Sequence, residues 1–106
     1  MQENQIVALC SVPNRDTGER IARALVEERL AACVNLLPGL VSTYRWQGKV
    51  EQAAECLLII KTAQSRFDTL RERIKTLHPY DVPEIIAMPI SQGDTQYLKW
   101  ISENTQ

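Results

Sequence analysis

What this sequence lacks narrows its chemistry before any motif is weighed. It has no basic excess: 12 Lys and Arg stand against 13 Asp and Glu, for a formal net charge of −1. Proteins that hold phosphate backbones or anionic membrane surfaces display a positive patch. Here eight of the 12 basic residues are arginines, scattered over helical segments among acids. They read as solvated faces with i,i+4 pairs such as Glu19 with Arg23, so neither nucleic acid nor membrane is expected as a partner. The polar start, Met1 to Gln5, is followed by only seven mostly apolar residues, which fits neither a signal peptide nor a membrane span. Cysteine is scarce and odd in number: Cys10, Cys33 and Cys56 lie 23 residues apart, with no Cys-x-x-Cys. No disulfide framework is expected, which suits a reducing cytoplasm. A glycine-rich phosphate loop, a Ser-His-Asp pattern and a paired-carboxylate motif are all missing. Catalysis is therefore not expected; Cys10 with His78 is the one Cys–His pair available, and sequence does not fix their adjacency.

What is present is one domain's worth of chain. At 106 residues, with 44% hydrophobic and 24% charged, residues 1–106 are expected to form a single domain with one core. Ile6 to Val12 is a short apolar run closed by Pro13 and predicts a buried strand. Asn14-Arg15-Asp16 supplies helix-start chemistry, and Asp16 with Glu19 has capping-box spacing. The helix is expected to run to about Leu30, with Ile21, Ala22, Leu25, Val26 and Leu30 as its apolar stripe. Cys33 to Trp46 is extended, with a kink at Pro38-Gly39. Gln47-Gly48 is a two-residue turn, and a second extended stretch returns from Lys49 to about Thr62. Ser65 to Asp68 opens a second helix with another capping-box pattern, carrying Phe67, Leu70, Ile74 and Leu77 on one face. His78-Pro79 ends it. Glu84 to Ile90 predicts a fourth strand, and Asp94 caps a short third helix through Tyr97, Leu98, Trp100 and Ile101. The order β-α-β-β-α-β plus a terminal helix is an α+β, ferredoxin-like split βαβ plan with helices on one sheet face.

Two physical arguments point to an oligomer. Ile6 to Val12, Cys56 to Ile60 and Ile85 to Met88 are apolar at consecutive positions, so both sheet faces want cover. The returning stretch from Lys49 is also too long for its own body: 14 residues at about 3.3 Å each span on the order of 45 Å, against a compact diameter of roughly 35 Å. The hairpin must bend or project, and a projecting ribbon carrying Tyr44, Trp46 and Val50 needs a neighbour.

Three stretches carry a family resemblance. They are Glu28-Arg29-Leu30-Ala31-Ala32-Cys33-Val34-Asn35 leading through Pro38-Gly39 to Tyr44-Arg45-Trp46-Gln47-Gly48-Lys49; His78-Pro79-Tyr80-Asp81-Val82-Pro83-Glu84-Ile85; and Gly93-Asp94-Thr95-Gln96-Tyr97-Leu98-Lys99-Trp100-Ile101. Together, over nearly the whole chain and in order, they resemble the CutA divalent-cation tolerance family. The resemblance implies a ferredoxin-like subunit in a homotrimer, similar in plan to the PII signalling proteins, and a link to tolerance of copper and other divalent metals. No cofactor is implied as obligatory; copper or a related ion is the expected ligand.

The candidate site residues each carry two readings. Cys10, near the end of the first strand, offers a soft thiolate for Cu(I); by type alone it is a buried small apolar side chain, and the resemblance sets it at a family position linked to metal binding. Cys33 and Cys56 read as core. His78 is the one histidine, either a metal ligand or a cation complementing a helix C-terminus. Glu84 and Asp81 are metal-binding carboxylates or solvated acids. Arg45 and Lys61, with Trp46 and Tyr97 as aromatic walls, form the alternative: an anion-binding cleft between subunits, by analogy to PII trimers. Tyr44, Trp46, Tyr97 and Trp100 otherwise read as interface or core aromatics.

Overall fold

A computed structural model describes residues 4–106; the polar segment at Met1 to Glu3 lies outside the described residues. The order is β1 (Gln5–Val12), α1 (Arg15–Glu27), β2 (Cys33–Trp46), β3 (Lys49–Ala63), a 3-10 turn (Gln64–Arg66), α2 (Phe67–Leu77), β4 (Ile86–Pro89) and α3 (Thr95–Glu103). The four strands form one antiparallel sheet in the order β2-β3-β1-β4. This is the expected split βαβ plan.

Alternation along β1 assigns the two faces. Ile6, Ala8, Cys10 and Val12 point into the core, where they meet Ile21 and Leu25 of α1, Leu58 and Ile60 of β3, and Leu70 and Ile74 of α2. Residues two apart on a strand share a face, so Gln5, Val7, Leu9 and Ser11 look the other way. Here the structure differs from the expectation that all helices lie on one side. Gln5 Nε2 donates to Ser102 Oγ at 2.8 Å, which sets α3 against one end of the second face. The rest stays open, and Leu37, Ile86 and Met88 are exposed there.

The helix ends depart from the spacing-based expectation. The α1 N-cap is Asn14, whose Oδ1 accepts from Thr17 N at 2.9 Å; Asp16 sits inside the first turn. The helix stops at Glu27, short of Leu30, because Arg29 turns left-handed (φ 59°) and Leu30 N reaches back to Leu25 O at 2.9 Å. That is a Schellman-type stop with arginine where glycine is usual, so nothing in the residue type announced it. Val26, expected in the stripe, is exposed. The ion pairs run Arg15–Glu19 and Arg23–Glu27, one step removed from Glu19–Arg23. At α2 a 3-10 turn (Gln64–Arg66) takes up the start expected at Ser65–Asp68, and Arg66 stands at the N-cap position.

The hairpin projects. Gln47 (φ 49°) and Gly48 (φ 80°) both take positive φ in the two-residue turn, as a type I′ connection requires. The body measures 46 × 25 × 23 Å, its long axis fitting the reach of these strands. At Pro38-Gly39 the register shifts: Leu37 pairs with Leu57, but Leu40 pairs with Glu55. The extra residue in β2 is a bulge, with Gly39 at φ 82°. Its consequence is a change of parity. Before it, Cys33, Asn35 and Leu37 lie on the open face; beyond it, Ser42, Tyr44 and Trp46 share the face of Glu55.

Candidate functional site

The C-terminal end of β1 gathers most of the candidates. Cys10 is fully buried on the core side, its Sγ directed to Ser11 O at 3.7 Å. Burial, and then the negative charges of Glu84 and Glu55, push its thiol up to about 12. His78 sits just past α2 as its C-cap. Its Nδ1 accepts from Tyr80 N at 3.2 Å, and its Nε2 lies 2.8 Å from Ser11 O. An amide N–H only donates and a carbonyl only accepts, so the ring carries its proton on Nε2. This arrangement replaces the expected imidazolium at a helix end: both nitrogens are engaged by backbone. Cys10 and His78 thus converge on one carbonyl.

That carbonyl also explains why β4 is short. The expected strand began at Glu84. Ile86 pairs with Leu9, so Glu84 would fall opposite Ser11, whose carbonyl His78 already engages. The ladder stops, and Glu84 is left exposed beside a cleft instead.

The cleft, of about 700 Å³, is lined by Ser11 of β1, Ser42 to Tyr44 and Trp46 of β2, Glu55 of β3, and Pro79 to Val82 with Glu84 from the α2–β4 connection. Tyr80 Oη donates to Glu55 Oε2 at 2.8 Å. Burial, and then the bond and charge of Glu55, raise the Tyr80 phenol to about 12. Behind it, the His78 ring supports Tyr80 at 4.7 Å between centroids. Glu55 and Tyr80 were not singled out from sequence. The signal was an acid set in the apolar stretch Ala53-Ala54-Glu55-Cys56-Leu57, since a charged residue inside a strand needs a partner.

The alternative anion-binding set is not assembled within one chain. Arg45 pairs with Val50 near the hairpin tip, and Lys61 pairs with Cys33 at the far end. Eleven residues of strand separate them, on the order of 35 Å. Trp46 lines the cleft described above. Tyr97 lies instead by Cys33, which contributes to an upward shift of its phenol behind the larger effect of burial. Lys61 Nζ hydrogen-bonds Asn35 Oδ1 and lies 4.0 Å from Cys33 Sγ. Cys33 is therefore a partly exposed residue of the open face, not core, whereas Cys56 is buried as expected. Tyr97 and Trp100 stack at 5.5 Å and stay exposed.

Among the described residues no three His, Cys, Asp or Glu side chains stand close enough to hold a metal ion as they are. Nor, among the described residues, is any helix long and apolar enough to cross a membrane.

Comparison with known proteins assigns the family. The CutA1 divalent ion tolerance protein family matches residues 6–104. The divalent-cation tolerance protein CutA of Thermus thermophilus is 57% identical over 99 residues, covering 93% of this chain and 96% of that protein. The rice protein CutA 1, chloroplastic, is 50% identical over 101 residues; the match covers 95% of this chain but spans only 57% of the rice protein. The solved structure of the divalent cation tolerance protein from Thermus thermophilus superposes with a TM-score of 0.95 at 55% identity, covering 96% of this chain and 99% of that one. The chain belongs to the CutA divalent-cation tolerance family.

Proposed function

We propose that this protein serves divalent-cation tolerance by binding rather than catalysis, as a homotrimer that takes up copper weakly through Cys10, with His78 and Glu84 as auxiliary ligands. The observation that carries the copper assignment is the convergence at the end of β1. Cys10 and His78 face one backbone carbonyl, and the charge of Glu84 reaches the thiol. Glu84 offers an exposed carboxylate at the rim, and the thiol beneath it is the soft ligand that Cu(I) prefers. The cost is also visible: the thiol must lose its proton and the His78 bonds must open, so binding is weak and strengthens with rising pH.

The trimer reading rests on the open face and the sheet edges. Leu37, Ile86 and Met88 are exposed apolar side chains, and the sheet ends in two different edges, β2 and β4. Unlike edges join head to tail, and such contacts close into rings. The projecting hairpin, with Val41 and Val50 exposed, fits a role in gripping the neighbour. Three free cysteines suit a reducing compartment such as the cytoplasm, although the rice relative is named chloroplastic.

The test titrates Cu(I) and Cu(II) separately into protein whose mass has been fixed by sedimentation equilibrium, beside a Cys10→Ser variant. A trimer binding Cu(I) at one ion per chain, with binding lost in the variant, is the expected result. Equal binding by parent and variant sinks the ligand assignment, and a monomer at micromolar concentration sinks the assembly.

A further inference from the structure

We propose that the cleft between the hairpin and the α2–β4 connection binds a small organic ammonium ion. This goes beyond the copper reading and uses neither Cys10 nor His78, sharing with it only Glu84 at the rim. Its first support is charge. Three acids, Glu55, Asp81 and Glu84, line the cleft, and no Lys or Arg does. The second is the set of rings that shares those walls: Tyr44, Trp46 and Tyr80. A cation over an aromatic face is held by the ring quadrupole, and the attraction grows as water is excluded.

The third support is Glu55 itself. Only 8% of its surface is exposed, and Tyr80 satisfies one carboxylate oxygen, Oε2. No described residue donates to Oε1. That oxygen is not a buried unpaired atom, so it stays open to the cleft, where a cation can meet its charge.

The chemistry selects a diffuse cation over a bare metal. A divalent metal needs several N, O or S atoms at about 2.0–2.6 Å, and among the described residues no three acidic, Cys or His side chains stand close enough together to supply them. A substituted ammonium needs no ligand geometry. It takes methyl-to-ring contact on several sides and one nearby carboxylate, which is what two tyrosines, a tryptophan and Glu55 offer. The volume, about 700 Å³, lies within the usual range for small-molecule sites. The tight turn sets this site: it pairs Tyr44 with Glu51 and Trp46 with Lys49, and alternate residues of β3 share a face, so both rings stand on the side of Glu55.

Choline is the probe, with 3,3-dimethylbutan-1-ol as its uncharged isostere, each titrated calorimetrically into the full-length protein in its native assembly. Saturable choline binding is expected. The neutral isostere, Trp46→Leu and Glu55→Gln should each weaken it by about tenfold, in line with a cation–π contact of ordinary strength. Trp46 is half-exposed and Gln retains an acceptor for Tyr80, so both variants keep the fold; matched melting curves check this. Absence of saturable choline binding overturns the proposal, as do equal affinity for the isostere and parent-like binding by both variants. A Cys10→Ser protein should bind choline as the parent does, while losing Cu(I). Choline binding lost with Cys10 would overturn the proposal, and intact choline binding without any copper binding would sink only the copper reading.

Discussion

Alkylation of the three cysteines tests the electrostatics at the end of β1. Cys10 is fully buried, and its thiol is lifted from 9.0 to about 12. Each unit is a factor of ten, so at neutral pH the thiolate population falls about a thousandfold. A high-pKa thiolate is the better nucleophile, and with a Brønsted slope of about 0.4–0.5 this returns roughly a factor of twenty. Chemistry alone then slows Cys10 about fiftyfold relative to an ordinary thiol, and the closed packing around it slows it further. The assay is iodoacetamide labelling of native protein at pH 7.5, quenched at intervals, with each cysteine's labelled fraction read by peptide mass spectrometry. Cys33, partly exposed on the open face, should label first. Cys10 and Cys56 should follow only slowly, and all three should react alike in denaturant. Labelling of Cys10 within a factor of ten of Cys33 would refute the reasoning: it would mean a thiol open to solvent, and the energetic cost assigned above to copper uptake would vanish.

The same raised thiol makes stability depend on pH. The folded state holds the Cys10 proton to about 12 while the unfolded chain releases it near 9, so the unfolded state binds fewer protons across that window. Stability is then full below about pH 9 and declines above it by up to about 1.4 kcal/mol per pH unit. Tyr80, raised from 10.0 to about 12, adds to the fall in the upper part of the window. Urea midpoints between pH 8 and 11 should show this decline, and Cys10→Ala should flatten its lower part; a parallel curve in the variant would exclude the thiol as its source. At the start of α1, Asn14→Ala should cost about 1 kcal/mol through loss of the cap to Thr17. Asp16→Ala should cost only a few tenths through the helix dipole. Urea unfolding at fixed protein concentration decides between them, and the reverse ranking would restore Asp16 as the cap.

The fold was legible where periodicity and turn chemistry agree. The apolar runs fix β1 and the inner part of β3. Gln47-Gly48 fixes the hairpin, because glycine readily supplies one of the two positive φ values a tight turn needs. Asp94 caps α3 as its position foretold, accepting from Tyr97 N. The misses are places where the backbone does something its residue types do not advertise. Arg29 takes a left-handed φ that glycine would have announced. The first capping interaction falls on Asn14 because both Asn14 and Asp16 have cap chemistry, and spacing to Glu19 favoured the wrong one. The position of α3 on the second face rests on long-range contacts such as Gln5 with Ser102, which no local pattern contains.

The site was legible one residue at a time and illegible as an arrangement. Sequence marks Cys10, His78 and Glu84 by chemical type, but their convergence depends on three separate events. One strand must end at Pro13, one helix must end at His78, and β4 must fail to extend past Ile86. Arg45 and Lys61 look equivalent as cations near strand ends, yet the hairpin carries one to its tip and keeps the other at its root. The bulge at Pro38-Gly39 is the most consequential case. From sequence it is a kink; in three dimensions it is a parity switch that lets the β2 root and the turn-anchored segment with Tyr44 and Trp46 both pair with β3 despite one extra residue. Deleting one residue of the bulge should therefore regularise β2 while leaving the Tyr44–Glu51 and Trp46–Lys49 pairs, and with them the cleft, in place; loss of the cleft rings' placement in the deletion variant would mean that the bulge, not the turn, sets their side.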